Sequence, residues 1–252
     1  MTRSALLPAA ALLLALLPSC GKGPSEGPAR KEVILYCGAG LRKPAEKLMA
    51  FLERRFPVKI RADYAGSEVL LSRIRLHRKG DLFLPGDARY VDQAADDGLV
   101  LARRSLHRWR LAILVPKDNP AGIRRAEDLL SPKVRLGLGD PKACAVGKAA
   151  RRLFRNLGIP WERVKKRVAF LSLTVNELGL QIQARSLDAV VVWDATARQF
   201  ARYGRILPIE GEAAVTSTVD LAVLSCADDA GLARRLLEAA ASPAGRAAFA
   251  DF

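Results

Sequence analysis

Histidine occurs only twice in this 252-residue chain, and aromatic residues make up 6% of it. His77 and His107 have no nucleophile or metal-ligand spacing beside them, so a histidine-based hydrolase or zinc site finds no support. The few aromatics are not interleaved with basic residues, which removes the stacking platform of a single-strand nucleic-acid binder. Nucleotide loops are missing too. GAGLRK (38–43) lacks the third glycine of the dinucleotide fingerprint and the Lys-Ser/Thr of a P-loop. Acidic residues are scarce, 26 against 41 Lys and Arg, for a net charge of +15. The basic residues are scattered over predicted helices (Arg54, Arg55, Arg151, Arg152, Arg234, Arg235) instead of forming a tail. That pattern describes a solvated surface that attracts small anions, with no nucleic-acid partner. With 50% hydrophobic and 27% charged residues, a packed globular protein is expected and wholesale disorder is excluded.

Long apolar runs are equally rare. The exception, residues 5–17, follows Met1-Thr2-Arg3 and falls short of the roughly 20 residues needed to span a bilayer. Residues 1–19 therefore read as a secretory signal peptide. Leu17-Pro18-Ser19-Cys20 resembles a bacterial lipoprotein lipobox, which implies lipidation of the Cys20 sulfur and cleavage before it. An ordinary signal with a chance cysteine is the alternative. GKGPSEGPAR (21–30) would serve as a flexible tether, so residues 20–30 form a lipidated linker. Removing the signal leaves 252 − 19 = 233 residues, long for one core and suited to two lobes. The expected product is lipid-anchored on the periplasmic or extracellular side of a bacterial membrane. Cys37, Cys144 and Cys226 remain, an odd number that cannot all pair within the chain.

From Glu32 onward short apolar runs alternate with helical periods. Strands are predicted at 33–36, 58–62, 81–84, 109–115, 134–138, 169–172, 188–193 and 219–225. Helices are predicted at 41–56, 69–76, up to Asp97 before Gly98, 149–157, 174–184 and 195–203, with two more closing the chain. Ser242 and Pro243 should cap the last of these. No fixed-period repeat appears. The alternation specifies an α/β fold with mainly parallel sheets, in which ligands gather where strands run into helices.

Four such turns stand out. Cys37-Gly38-Ala39-Gly40 and GDPKACAVGK (139–148) are rich in small residues that let a ligand approach the backbone. Tyr64-Ala65-Gly66-Ser67 places Ser67 as an N-cap, and Thr174 with Glu177 has capping-box spacing. Each turn presents free N–H groups and a positive dipole end, suited to a small anion. Each also has an ordinary reading as a cap or tight turn.

YAGSEVLLSRI (64–74), GDLFLPGD (80–87), LAILVPK (111–117), GDPKACAVGK and LDAVVVWDATA (187–197) together resemble the periplasmic molybdate- and tungstate-binding proteins of ABC importers. The similarity covers roughly residues 32–250. It implies a two-lobed periplasmic-binding-protein-like fold with a hinge, lobe one from 31–108 plus 220–252 and lobe two from 109–219. It also implies a monomer without catalysis or cofactor, holding molybdate or tungstate for a partner ABC permease. In relatives neutral hydroxyl and N–H donors hold the oxyanion. The family's ligand positions fall here on Gly40, Ser67, Val146, Val175 and Trp193. Only Ser67 keeps its hydroxyl. Gly40 retains a backbone N–H and Trp193 an indole N–H. The metal is thus met only as an oxyanion, with no residue ligating it directly.

Ala39, Gly66, Cys37, Cys144 and Asp194 are further candidates. Asp194 either caps the helix after it or reaches the ligand. Cys37 and Cys144 are buried small residues, thiols facing a soft ligand or, less compatibly with hinge closure, a disulfide. Lys142 and Lys148 either add positive potential near the mouth or are simply solvated positions, the second being the favoured reading. Sulfate, phosphate or a thiol-bound metal species are the alternative ligands, and a sensing lipoprotein without transport the alternative role.

Overall fold

The computed structural model describes residues 30–250. The signal peptide, the Cys20 lipidation site and the tether up to residue 29 lie outside the described residues. The first lobe opens with β1 (Lys31–Gly38), α1 (Arg42–Arg55), β2 (Val58–Ala65), α2 (Ser67–His77), β3 (Leu82–Leu84) and α3 (Arg89–Asp96). The long strand β4 (Val100–Pro116) then leads away. The second lobe holds β5 (Leu136–Gly139), α4 (Ala145–Asn156), α5 (Trp161–Lys165), β6 (Val168–Ser172), α6 (Val175–Gln183), β7 (Ala189–Trp193), α7 (Asp194–Gln199) and β8 (Gly204–Pro208). Strand β9 (Thr216–Leu224) returns, and α8 (Ala230–Ala241) and α9 (Pro243–Arg246) complete the first lobe.

Strand order explains how two lobes arise from one connected sheet. On one side it runs β2-β1-β3-β9-β4, on the other β6-β5-β7-β4-β8. Strand β4 belongs to both: Val100–Arg110 faces β9, and the following residues pair with β7 and β8. The ladders among β1, β2 and β3 and among β5, β6 and β7 are parallel, as expected for strands joined by helices. Those that involve β4 or β9 are antiparallel, so parallel pairing is confined to the outer three strands of each lobe.

Burial follows the pattern of the sequence. Strand β7, AVVVW, is buried at every residue, as a central strand covered on both faces must be. Helix α4 buries Ala145, Val146, Ala149, Ala150, Leu153 and Phe154 on one face and turns Arg151 and Arg155 outward. Gly98 and Gly158, both at φ 70°, follow α3 and α4 in the left-handed region that stops a helix. The Ser242 side chain accepts the Gly245 N–H at 3.2 Å, capping α9.

Several elements differ from expectation. Strand β4 begins at Val100, not at Trp109, because its polar first half pairs along β9. Strand β8 and helix α5 have no counterpart in the sequence reading. Helix α7 ends at Gln199, well before residue 203: Phe200 leaves the helix and lays its ring where a Cβ on Gly179 would sit, 2.1 Å away. No helix among the described residues is long and apolar enough to cross a membrane.

Candidate functional site

The carboxyl ends of six parallel strands, three from each lobe, face one another across the seam. Gly38 ends β1, Ala65 ends β2 and Gly86 follows β3; opposite them lie Cys144 after β5, Thr174 after β6 and Trp193 ending β7. Together with the helix starts that follow, they enclose a cavity with about 20 Å³ for the centres of water-sized groups. That is little more than a single water needs, so this closed arrangement admits only a small guest. No lining residue is charged.

Free N–H groups point to what such a cavity can hold. The backbone N–H groups of Gly40, Ser67, Val146 and Val175 have no acceptor among the described residues. Each belongs to the first turn of a helix, where no intrahelical partner exists. The Ser67 side chain adds a directed donor. Its Oγ, 2% exposed as a residue, accepts the Gly86 N–H at 2.9 Å, which leaves its own proton to give. Ser67 is the first residue of α2 and not its N-cap, a place taken by Gly66. That shift of one residue turns the hydroxyl from its own helix toward Gly86.

Gly40, Ser67, Val146, Val175, Trp193, Ala39, Gly66 and Cys144 all line the cavity. Cys37 and Asp194 do not. The Cys37 thiol is fully buried beneath the loop and donates to the Gly38 carbonyl at 3.5 Å. The Asp194 carboxylate accepts the Ala195 N–H at 2.9 Å and the Arg110 N–H at 3.1 Å, and faces Arg198 at 3.3 Å. It is satisfied at the start of α7. Thr174 holds the N-cap position of α6 without a side-chain bond, and the Glu177 carboxylate accepts from the Ser172 hydroxyl. The expected capping box is therefore not formed.

Trp109 and Gly86 were not foreseen. Trp109 stacks on Trp193 with centroids 4.8 Å apart and planes 6° from parallel, building one wall of the cavity from both sides of the seam. Its buried Nε1–H has no partner among the described residues. Gly86 belongs to the quoted GDLFLPGD segment; a Cβ there would lie 3.3 Å from that of Ala145 and 3.6 Å from Ser67 Oγ.

Cysteine chemistry is damped. Cys37, Cys144 and Cys226 are free thiols. Burial pushes the Cys144 thiol up to about 12 and drives Cys37 up as well. Metal-binding thiolates need the opposite shift.

Around the cavity the lobes are drawn together. The Glu68 N–H donates to the Ala143 carbonyl at 3.2 Å, and Asn176 Nδ2 to the Ala39 carbonyl at 3.0 Å. A Cβ on Gly66 would sit 2.3 Å from the Ala143 oxygen, so only glycine permits that approach. Lys148 pairs with Glu68 and lies 4.6 Å from the Tyr90 ring centre. Arg152 bonds Asp87 at 3.0 Å.

The sequence pattern of the bacterial extracellular solute-binding proteins matches residues 33–252. A Haemophilus influenzae protein described only as a binding protein is 33% identical over 179 residues, covering 70% of this chain and 72% of the relative. The molybdate-binding protein ModA of Mycobacterium tuberculosis is 24% identical over 246 residues, 94% of this chain and 91% of its own. Among solved structures, the sulfate-binding protein SubI of Mycobacterium tuberculosis shares the fold with a TM-score of 0.73 at 16% identity, covering 88% of this chain and 85% of that one.

Proposed function

From the premise that this chain belongs to the bacterial extracellular solute-binding proteins, we propose that it captures molybdate or tungstate between its lobes and delivers it to an ABC permease. The observation that carries this reading is the uncharged cavity ringed by unpaired N–H groups from both lobes. A divalent oxyanion entering it exchanges water for the N–H groups of Gly40, Val146 and Val175, the Ser67 hydroxyl and the indole edge of Trp193. Hydrogen bonds to a charged acceptor are each worth about 1.5–3 kcal/mol. The first-turn position of the N–H groups adds their helix-end field.

Closure follows from where the donors sit. Gly40 and Ser67 are held by lobe one, 31–108 plus 220–252, and Val146, Val175 and Trp193 by lobe two, 109–219. An anion that contacts both sets stabilises only the closed arrangement, with β4 and β9 as the hinge strands. Two hydroxyls that relatives place at Gly40 and Trp193 are absent, so affinity is expected to fall roughly tenfold or more below a full set unless the N–H groups at those positions replace them. Lipidation at Cys20 would keep the protein beside its permease.

Sulfate is the second reading, favoured by the small size of the cavity. A thiol-bound metal is disfavoured because Cys144 is protonated at neutral pH and Cys37 lies outside the cavity. Thermal-shift titration with molybdate, tungstate, sulfate, phosphate and divalent metals tests the assignment. A shift with molybdate and tungstate at the lowest concentrations supports it, and a shift with sulfate or metals alone overturns it. Loss of molybdate uptake on deletion distinguishes transport from sensing.

A further inference from the structure

Helix α4 separates the cavity from a second concavity on its outer side, a bay of about 670 Å³. Five residues that line it are cationic (Lys142, Lys148, Arg151, Arg152 and Arg155) and none is acidic. Four of the five recur at i, i+3, i+4 and i+7 along α4, a single face on which like charges destabilise the helix. Two are answered across the seam, Lys148 by Glu68 and Arg152 by Asp87. For Lys142, Arg151 and Arg155 there is no carboxylate partner among the described residues, and all three are exposed. Elsewhere acid and base are interspersed, as with Arg42 and Glu46 on α1.

The opposite wall of the bay is apolar, formed by Ile159, Pro160 and the half-buried Trp161. A volume of this size lies in the range of small-molecule sites, which are apolar clefts with a few convergent polar groups. Guanidinium forks match the oxygens of a phosphate, and an anion between Arg151 and Arg155 relieves their repulsion. We propose that this bay is a second binding site, for a phosphate ester whose phosphate meets Lys142, Arg151 and Arg155 while its organic part lies on Trp161. It is independent of the oxyanion reading of the cleft, which is too small for such a molecule. The ester could be a free organic phosphate or a phospholipid headgroup, which share this chemistry.

The test compares the purified protein with Arg151→Gln/Arg155→Gln and with a control that removes two exposed cations elsewhere, Arg54→Gln/Arg55→Gln. Glutamine sustains a helix, and all four positions are exposed, so both variants should fold. Phenyl phosphate is titrated by calorimetry, and sedimentation is followed with phosphatidylglycerol and phosphatidylcholine vesicles. Saturable one-to-one binding of phenyl phosphate that weakens about tenfold or more in the Arg151/Arg155 variant, and not in the control, supports the site. The same dependence seen only with phosphatidylglycerol vesicles supports it with a headgroup as the source. Equal losses in both variants, or none in the Arg151/Arg155 variant, would overturn it.

Discussion

Arg152 and Asp87 form an ion pair across the seam at 3.0 Å, with side chains 9% and 3% exposed. Burial pulls the arginine below its usual value, and Asp87 is the main influence opposing that. If the lobes part as the proposed mechanism requires, each group regains water. When they close, each depends on the other.

Asp87→Asn should therefore act on closure. Stranding a buried charge costs about 3–5 kcal/mol, or a loss of roughly 10²-fold or more in affinity for a ligand that requires the closed form. Replacing both residues, as Asp87→Leu with Arg152→Met, should cost less than the single change. Calorimetric titration of the three proteins with molybdate checks the order; a harmless Asp87→Asn would mean that closure does not rely on this pair.

Ser67→Ala removes the directed hydroxyl and leaves the Gly86 N–H without its acceptor. Affinity for the oxyanion should fall about tenfold, and the ligand-free protein should lose about 1–3 kcal/mol of stability through the stranded Gly86 N–H. Unchanged affinity in the same titration would remove Ser67 from the site.

Gly40 is held open by its neighbour. A Cβ at this position would lie 2.5 Å from Val175 Cγ1, across the seam. Gly40→Ser, which restores the family hydroxyl, should on its own weaken binding about tenfold by blocking closure. Adding Val175→Ala makes room, so the double variant should bind at least as well as the parent protein. A single variant that already binds tighter would show that the contact is not limiting.

The thiols give stability a direction with pH. An unfolded Cys144 loses its proton near 9, whereas in the fold burial holds it to about 12. The folded pKa is raised, so this contribution is complete below pH 9 and is lost as pH rises toward 12. Cys37 is shifted the same way. Urea midpoints should fall between pH 8 and 10.5, and fall less in Cys144→Ala. A midpoint that climbs over that interval would contradict the burial of these thiols.

The parts legible in the sequence are those set by local pattern. Alternating apolar runs located the parallel strands of each lobe, and small residues after them marked the turns that meet at the seam. Gly40, Ser67, Val146, Val175 and Trp193 reached the cavity because each follows or ends a parallel strand. Trp109 was hidden, since an aromatic at the head of an apolar strand reads as core until Trp193 is known to lie against it. Strand β8 was missed because five residues after a short helix carry little periodicity. The polar half of β4 was missed because its exposed arginines mask the pairing with β9. Asp194 was settled by partners far from it in the chain, Arg110 among them.

The most direct measurement is anomalous diffraction at the molybdenum edge from crystals grown with molybdate. One peak is expected within hydrogen-bonding reach of Ser67 Oγ and the N–H groups of Gly40, Val146 and Val175. A peak at the surface with nothing between the lobes would contradict an oxyanion held by neutral donors.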